Sequence, residues 1–391
     1  MADRLVFVVI LMASVFAMAQ GLSYPLLAFI LERQGVPPAL IGLNTAMTPI
    51  GIIASSPLIP WFARRLGAAW LALCSALALA ALLLTIGAWQ SLPVWFVARF
   101  LLGFVVNGLF VTSETWVNLL APPDRRGRLL GIFASSLSAG FALGPFTLTL
   151  TGTEGWPPFL VGVVVFLATA LILFLARRRL PEIHGGHDGG EHDGQMGSVL
   201  AFLPLAPFLL LSIGVVAAFD QSVLALLPSY GMSFGMPETS MATALGILIV
   251  GNILFQIPIG WLADRWSRRG TSLLLCGLTV LGALLLPLVI RTEALTYAMF
   301  FLWGSAAFGL YTVALIELGE RFTGSMLLAG NAAFSLMWGI GGMVGPPLAG
   351  LAMTGFGPNG LPLAMGALYL LVMVTGAVPA RLSRAGDSGR P

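Results

Sequence analysis

The sequence predicts an all-α membrane protein of twelve transmembrane helices, arranged as two six-helix halves related by pseudo-symmetry. Three observations carry that expectation. Of 391 residues, 58% are hydrophobic and only 9% charged, with a mean hydropathy of +0.95. A globular core cannot hide that much apolar surface, so lipid is the natural solvent. The apolar residues fall into long continuous runs rather than short alternating segments, which favours helices over a barrel. The second half of the chain also repeats the first at an offset of 200 positions.

A helix crossing a hydrocarbon layer of ~30 Å needs about 20 mainly apolar residues. On that criterion the spans are 5–31, 39–63, 68–89, 92–119, 128–151, 157–176, 201–229, 239–262, 271–290, 294–316, 324–352 and 360–380. Within the first run, Ala17-Met18-Ala19 behind Arg4 looks like a signal-peptide cleavage site. The run continues past it to Leu31 and has a counterpart at the start of the second half, so it is read as a span. Cys74 and Cys276 sit inside apolar runs and are expected as buried, unpaired thiols.

The connections alternate in charge. All 19 basic residues are arginine, and the formal net charge is +3. One set of loops and both termini hold 16 of them, including Arg64, Arg65, Arg125, Arg126, Arg128, Arg177 to Arg179, Arg265, Arg268, Arg269 and Arg321. The opposite set holds Arg33 and Arg291, and Arg99 lies within a span. Positive charge accumulates on the cytoplasmic side of membrane proteins, so both termini are expected in the cytoplasm.

The repeat sets the domain organisation. Sliding by 200 places Asp220 on Gln20, Gly235 on Gly35, Pro237 on Pro37, Gly251 on Gly51, Trp261 on Trp61 and Arg265 on Arg65. The expected units are residues 1–179, a cytoplasmic linker 180–199 and residues 200–391. The linker holds His184, His187 and His192 among acidic residues and glycines. Its flexible composition argues for a solvated tether rather than a metal site. No metal or cofactor is expected.

Four groups of residues attract functional readings. The first is the charged turn between spans 8 and 9, Gly260 to Arg269, containing Asp264, Arg265, Arg268 and Arg269; its first-half counterpart has Pro60 for the glycine and Arg64 for the aspartate. The second comprises Gly131, Gly140, Gly144 and Pro145 in span 5, echoed by Gly341, Gly345 and Pro346 in span 11. Glycines four apart let helix backbones approach closely, and proline bends the helix. The third is Arg99, in an Arg-Phe-Leu-Leu-Gly element of span 4, expensive to place in a membrane and functional by default. The fourth is Asp220, deep in span 7, with no arginine near it in sequence. An ionised carboxylate is costly in an apolar span, so Asp220 is suited to taking up and releasing a proton.

These motifs resemble those of the major facilitator superfamily. Gly260 to Arg269 is similar to its G-x-x-x-D-R-x-G-R-R signature; the span 5 glycines resemble the antiporter signature of its drug/proton exporters, although Leu148 replaces the final glycine; and Arg99 resembles the arginine of its fourth helix. The resemblance implies a secondary transporter that alternates access by rocking its halves, with substrate bound near the midplane between them. It also implies an acidic residue that caps a neighbouring helix and latches the cytoplasmic side. With Arg64 where that residue should be, the latch is expected to be stronger in the second half. Arg64, Arg65, Glu114, Arg128, Asp264, Arg265, Glu317 and Arg321 are the expected cytoplasmic gate, with Asp220 and Arg99 coupling protons.

Gln20 and Tyr24 in span 1, Asn107 in span 4, Gln221 in span 7, Asn252 and Gln256 in span 8, Trp303 and Tyr311 in span 10 and Trp338 in span 11 are expected to outline a substrate cavity. A pocket with few charges and several aromatics suits a small amphipathic or lipophilic solute. The expected partners are therefore that solute, protons and the lipid bilayer, with no nucleic acid, and the expected state is a monomer. No phosphate-binding loop or hydrolytic triad is present in the sequence, which argues against an ATP-driven pump and against an enzyme. Export is expected; uptake of an organic anion through Arg99, and lipid translocation, are the alternatives.

Overall fold

The computed structural model describes residues 2–122, 125–182 and 201–377. The linker histidines lie outside the described residues. Thirteen α-helices run through them: α1 (Ala2–Arg33), α2 (Pro38–Ser55), α3 (Ile59–Leu66), α4 (Ala68–Ala88), α5 (Leu92–Leu120), α6 (Arg126–Thr151), α7 (Pro157–Ala176), α8 (Pro207–Met232), α9 (Glu238–Arg265), α10 (Arg268–Val289), α11 (Glu293–Arg321), α12 (Gly324–Phe356) and α13 (Gly360–Ala377). Eleven are long and apolar enough to cross a membrane, and the described residues contain no strand. With α6, and with α2 and α3 sharing the second position, they make twelve spans.

Two expected spans differ in detail. The second, expected to be continuous over 39–63, breaks after Ser55 and resumes at Ile59. Pro57 and Pro60 cannot donate to the carbonyls four residues before them, so the ladder fails at Ser56. The seventh begins at Pro207 rather than near 201, after a 3-10 turn at Leu203–Leu205, because Pro204 and Pro207 interrupt the run.

Both halves open with the same turn. Gly35 and Gly235 take φ of +71° and +82° in the left-handed region, and Pro37 and Pro237 then stand before α2 and α9 with φ of −62° each. Only glycine adopts that conformation at no steric cost, so the turn explains the paired glycines.

Within each half the glycine motifs bring backbones together. A methyl on Gly140 or Gly144 would overlap the α1 backbone at Ser14 or Gly21; one on Gly341 would overlap Gly214 of α8, and one on Gly345 would lie 2.5 Å from Ala218 Cα. Pro145 and Pro346 follow inside the same helices. The first half thus packs α6 on α1, and the second packs α12 on α8 in the same manner.

Contact between the halves is concentrated at one end. There α2 lies against α12, with Gly42 on Pro346 and Gly350 on Pro38, and α6 lies against α9, with Phe146 on Gly246. This is the end holding Arg33 and Arg291, here termed the arginine-poor end. Helices α4 and α7 pack principally within the first half, and α10 and α13 within the second, so these four form the periphery. Cys276 is buried as expected, but Cys74 is exposed, because it lies on the outward face of peripheral α4.

Candidate functional site

Inside the bundle the two halves bring Arg99, Tyr24 and Asp220 to one neighbourhood. Arg99 of α5 is 1% exposed, and its guanidinium lies 5.2 Å from the centre of the Tyr24 ring. Its Nη2 donates to the Tyr24 carbonyl at a long 3.5 Å, while its Nε has no partner. Among the described residues no carboxylate pairs with it. Tyr24 in turn stands within electrostatic range of Arg99 and Asp220, and its hydroxyl meets Thr48 of α2. Asp220 is partly buried on α8, and Gln221 Nε2 donates to its Oδ2 at 2.8 Å. Tyr24 thus lies within electrostatic range of a guanidinium of its own half and of a carboxylate of the other.

Several groups around this neighbourhood have unmet bonding capacity. Gln221 Oε1 is buried without a partner, and so are both amide atoms of Asn44, which lies on α2 one turn before Thr48. Sequence reasoning missed Asn44 and Thr48. Their signal was an amide and a hydroxyl four residues apart in a run counted only for its length.

The other expected cavity residues separate into those that gather and those that do not. Gln20 is buried one turn from Tyr24 on α1. Tyr311 and Trp338 form an edge-to-face pair with centres 5.4 Å apart, joining α11 to α12. Trp338 lies on the same face of α12 as Asn331 and Ser335, both exposed. Gln256 is exposed and donates to Asn252 Oδ1 at 3.3 Å along α9. Asn107 is committed elsewhere: its amide donates to Ile52 O, Ser55 Oγ and Ser56 Oγ at 3.1, 2.9 and 3.0 Å, beside the break between α2 and α3. Trp303 is 1% exposed, donates to Thr279 O at 2.9 Å and packs edge-on against Phe219 inside the second half. Both residues serve packing within one half.

Among the described residues the ion pairs of the second-half charged turn stay within that half. Asp264 pairs with Arg268 at 3.6 Å, Arg268 also with Glu320, and Glu317 with Arg321 at 2.9 Å, all within the second half. Arg265 instead lies over Trp261 at 4.5 Å, as its repeat partner Arg65 lies over Trp61 at 5.4 Å. Arg64, Arg65 and Glu114 form no ion pair among the described residues, and the side chain of Arg128 lies outside them.

The side chains that do join the halves are at the opposite end. Arg33, ending α1, meets Glu238, starting α9, at 2.9 Å, and donates to Thr153 Oγ1 at 3.1 Å and Thr153 O at 2.7 Å. Thr153 donates to the same Glu238 carboxylate, and Thr149 and Thr243 share a hydrogen bond at 3.2 Å. These residues were not singled out in the sequence. Their signal was Arg33, one of two arginines on its side, together with an acid at the start of α9 where the first half has proline.

Two six-helix halves, with side chains tying them at the arginine-poor end, have the build of a secondary transporter that works by alternating access. The chain belongs to the Major Facilitator Superfamily, whose model matches residues 9–327. It is a multi-pass membrane transporter and not an enzyme. It is 26% identical over 356 residues to the uncharacterized MFS-type transporter YfkF of Bacillus subtilis (strain 168), covering 90% of this chain and 89% of that protein. It is 27% identical over 301 residues to the uncharacterized MFS-type transporter YcaD of Shigella flexneri, covering 75% and 74%. In fold it is similar to the nucleoside transporter NupG, with a TM-score of 0.79 at 14% identity over 95% of this chain and 98% of that one. A bacterial homolog of the human lysosomal transporter Spinster, inward-facing and unoccupied, gives 0.77 at 14% over 96% and 95%.

Proposed function

We propose that this transporter couples protons to the export of a small amphipathic or lipophilic solute, with Asp220 as the proton carrier. The observation that supports this reading is an acid midway along α8, with a neutral amide as its side-chain partner and within electrostatic range of Tyr24, which also feels Arg99. Asp220 and Arg99 move with different halves. A guanidinium that approaches favours loss of the proton, and one that withdraws favours uptake. Rocking the halves therefore links proton occupancy to the side that is open.

The arginine asymmetry supports an orientation with both termini in the cytoplasm, in keeping with a bacterial inner membrane. On that orientation the tied end of the molecule is the periplasmic one. Tyr311, Trp338, Asn331 and Ser335 supply aromatic and amide surface with no charge, which suits an amphipathic solute. A second reading is favoured by one feature: the buried Arg99, with its unpaired Nε and no carboxylate partner, could take the anionic group of an imported metabolite.

The test is proton flux in proteoliposomes challenged with lipophilic cations, neutral drugs and organic anions, comparing the natural chain with Asp220→Asn. Proton movement opposite to the solute, lost in the variant, is expected. Transport driven by a pH gradient that survives Asp220→Asn unchanged overturns the coupling assignment, and proton movement together with an organic anion selects uptake.

A further inference from the structure

The cytoplasmic-type turns of the two halves are repeat copies that use their arginines differently. In the second half the turn is neutralised locally, by Asp264, Glu317 and Glu320 against Arg268 and Arg321. In the first half Arg64 replaces the acid, and Arg64, Arg65, Arg177, Arg178 and Arg179 have no carboxylate partner among the described residues. The α4–α7 packing brings Arg177 toward the α3–α4 turn that carries Arg64 and Arg65. Arg177, just past the end of α7, lies 5.9 Å from the ring of Trp70 near the start of α4, and Arg65, one turn before α4, lies over Trp61.

The surface beside this cluster is apolar and open. Trp61, Leu66 and Trp70 are 46%, 48% and 49% exposed, and Phe174 and Leu175 continue the surface along α7. Helices α4 and α7 are peripheral, so this surface faces lipid rather than the space between the halves. A topology signal needs only the count of arginines on one side. It does not need them stripped of acidic partners and seated against outward-facing indoles.

We propose that the junction of the α3–α4 turn with the end of α7 binds the headgroup of an anionic phospholipid. The phosphate meets Arg64, Arg65 and Arg177, and the glycerol and upper acyl chains lie on Trp61 and Trp70. The exposed rings commit the site to lipid rather than to a free anion, because a soluble phosphate leaves them unused. The second-half turn also seats Arg265 over the exposed Trp261, but Arg268 and Arg321 beside it already pair with carboxylates, so a bound headgroup is expected to be held less tightly there.

The protein is reconstituted with equal phosphatidylglycerol and phosphatidylcholine, transferred to detergent, and its retained lipid counted by native mass spectrometry. Phosphatidylglycerol is expected to be retained in preference. Arg65→Gln should lower its affinity about fivefold, and Arg64→Gln with Arg65→Gln and Arg177→Gln roughly a hundredfold. The repeat-partner change Arg265→Gln should leave it unaltered. These arginines are exposed or half-exposed, and an unchanged melting temperature confirms that each variant is folded. Equal retention of the two lipids, equal loss with Arg65→Gln and Arg265→Gln, or displacement of the lipid by millimolar glycerol phosphate would each overturn the proposal.

Discussion

Arg99 is a costly residue, and its cost can be separated from its use. A guanidinium that is 1% exposed, with an unpaired Nε and no carboxylate partner among the described residues, is not a stability device. Arg99→Met keeps most of the volume and removes the buried charge. The melting temperature in detergent should stay level or rise, a gain of about 1 kcal/mol, while pH-driven flux should fall at least about tenfold, the proportion expected for a lost charged interaction. A melting temperature several degrees lower would instead make Arg99 a structural brace. Arg99 and Asp220 were legible in the sequence because an ionisable group inside an apolar run has few structural excuses. Trp303 and Asn107 were not legible as packing residues. Whether a tryptophan or an amide lines a space or seals a helix contact depends on which face of the helix it occupies and what stands opposite, and periodicity alone does not say which.

At the scale of elements, the broken second span is held by its neighbour. Pro57 and Pro60 remove two donors, and Asn107 of α5 supplies three hydrogen bonds at the break. Asn107→Ala removes a donor from two serine hydroxyls, while Ile52 O still accepts from Ser56 N and from both hydroxyls, so the cost should be about 0.5–1.5 kcal/mol. A melting temperature within a degree of the natural chain would show that water replaces the amide without loss. The glycine contacts are less forgiving. Gly144→Val places a branched side chain into the backbone of α1 at Gly21, and overpacking of about 1–3 kcal/mol or more should follow; Gly277→Val, whose nearest neighbour is Met373 Sδ at 3.9 Å, should be tolerated. Yield of folded, monodisperse protein distinguishes the two. The prolines of the break were visible in the sequence, but a count of apolar residues runs straight across them, since proline costs little in hydropathy and much in hydrogen bonding.

Across the whole molecule, the ties seen between the halves are on the side opposite the charged signature. The conspicuous cluster from Gly260 to Arg269 braces its own half, whereas Arg33, Thr153 and Glu238 clamp the arginine-poor end. Sequence pattern revealed the two halves, because repeated glycines and prolines survive as turns. It did not reveal the clamp, because a pairing between residues 205 positions apart leaves no local trace. Alternating access requires the clamp to open, so weakening it should populate the alternative arrangement. Glu238→Gln leaves a polar group in place but removes the charge that meets Arg33. With the two side chains 28% and 19% exposed, solvent screens part of their attraction. The expected shift is about 1 kcal/mol, or roughly fivefold in population. The readout is Thr243→Cys in a Cys74→Ser background, since Thr243 sits under the clamp against Thr149 and Cys74 is the exposed native thiol, Cys276 being buried. Its reaction with an impermeant maleimide should be slow, and should quicken about fivefold with Glu238→Gln. Glu320→Gln, which breaks a pair inside one half, should leave the rate unchanged. Equal rates in all three would mean that backbone contact of Gly42 with Pro346 and of Gly350 with Pro38 holds that end shut without help from charge.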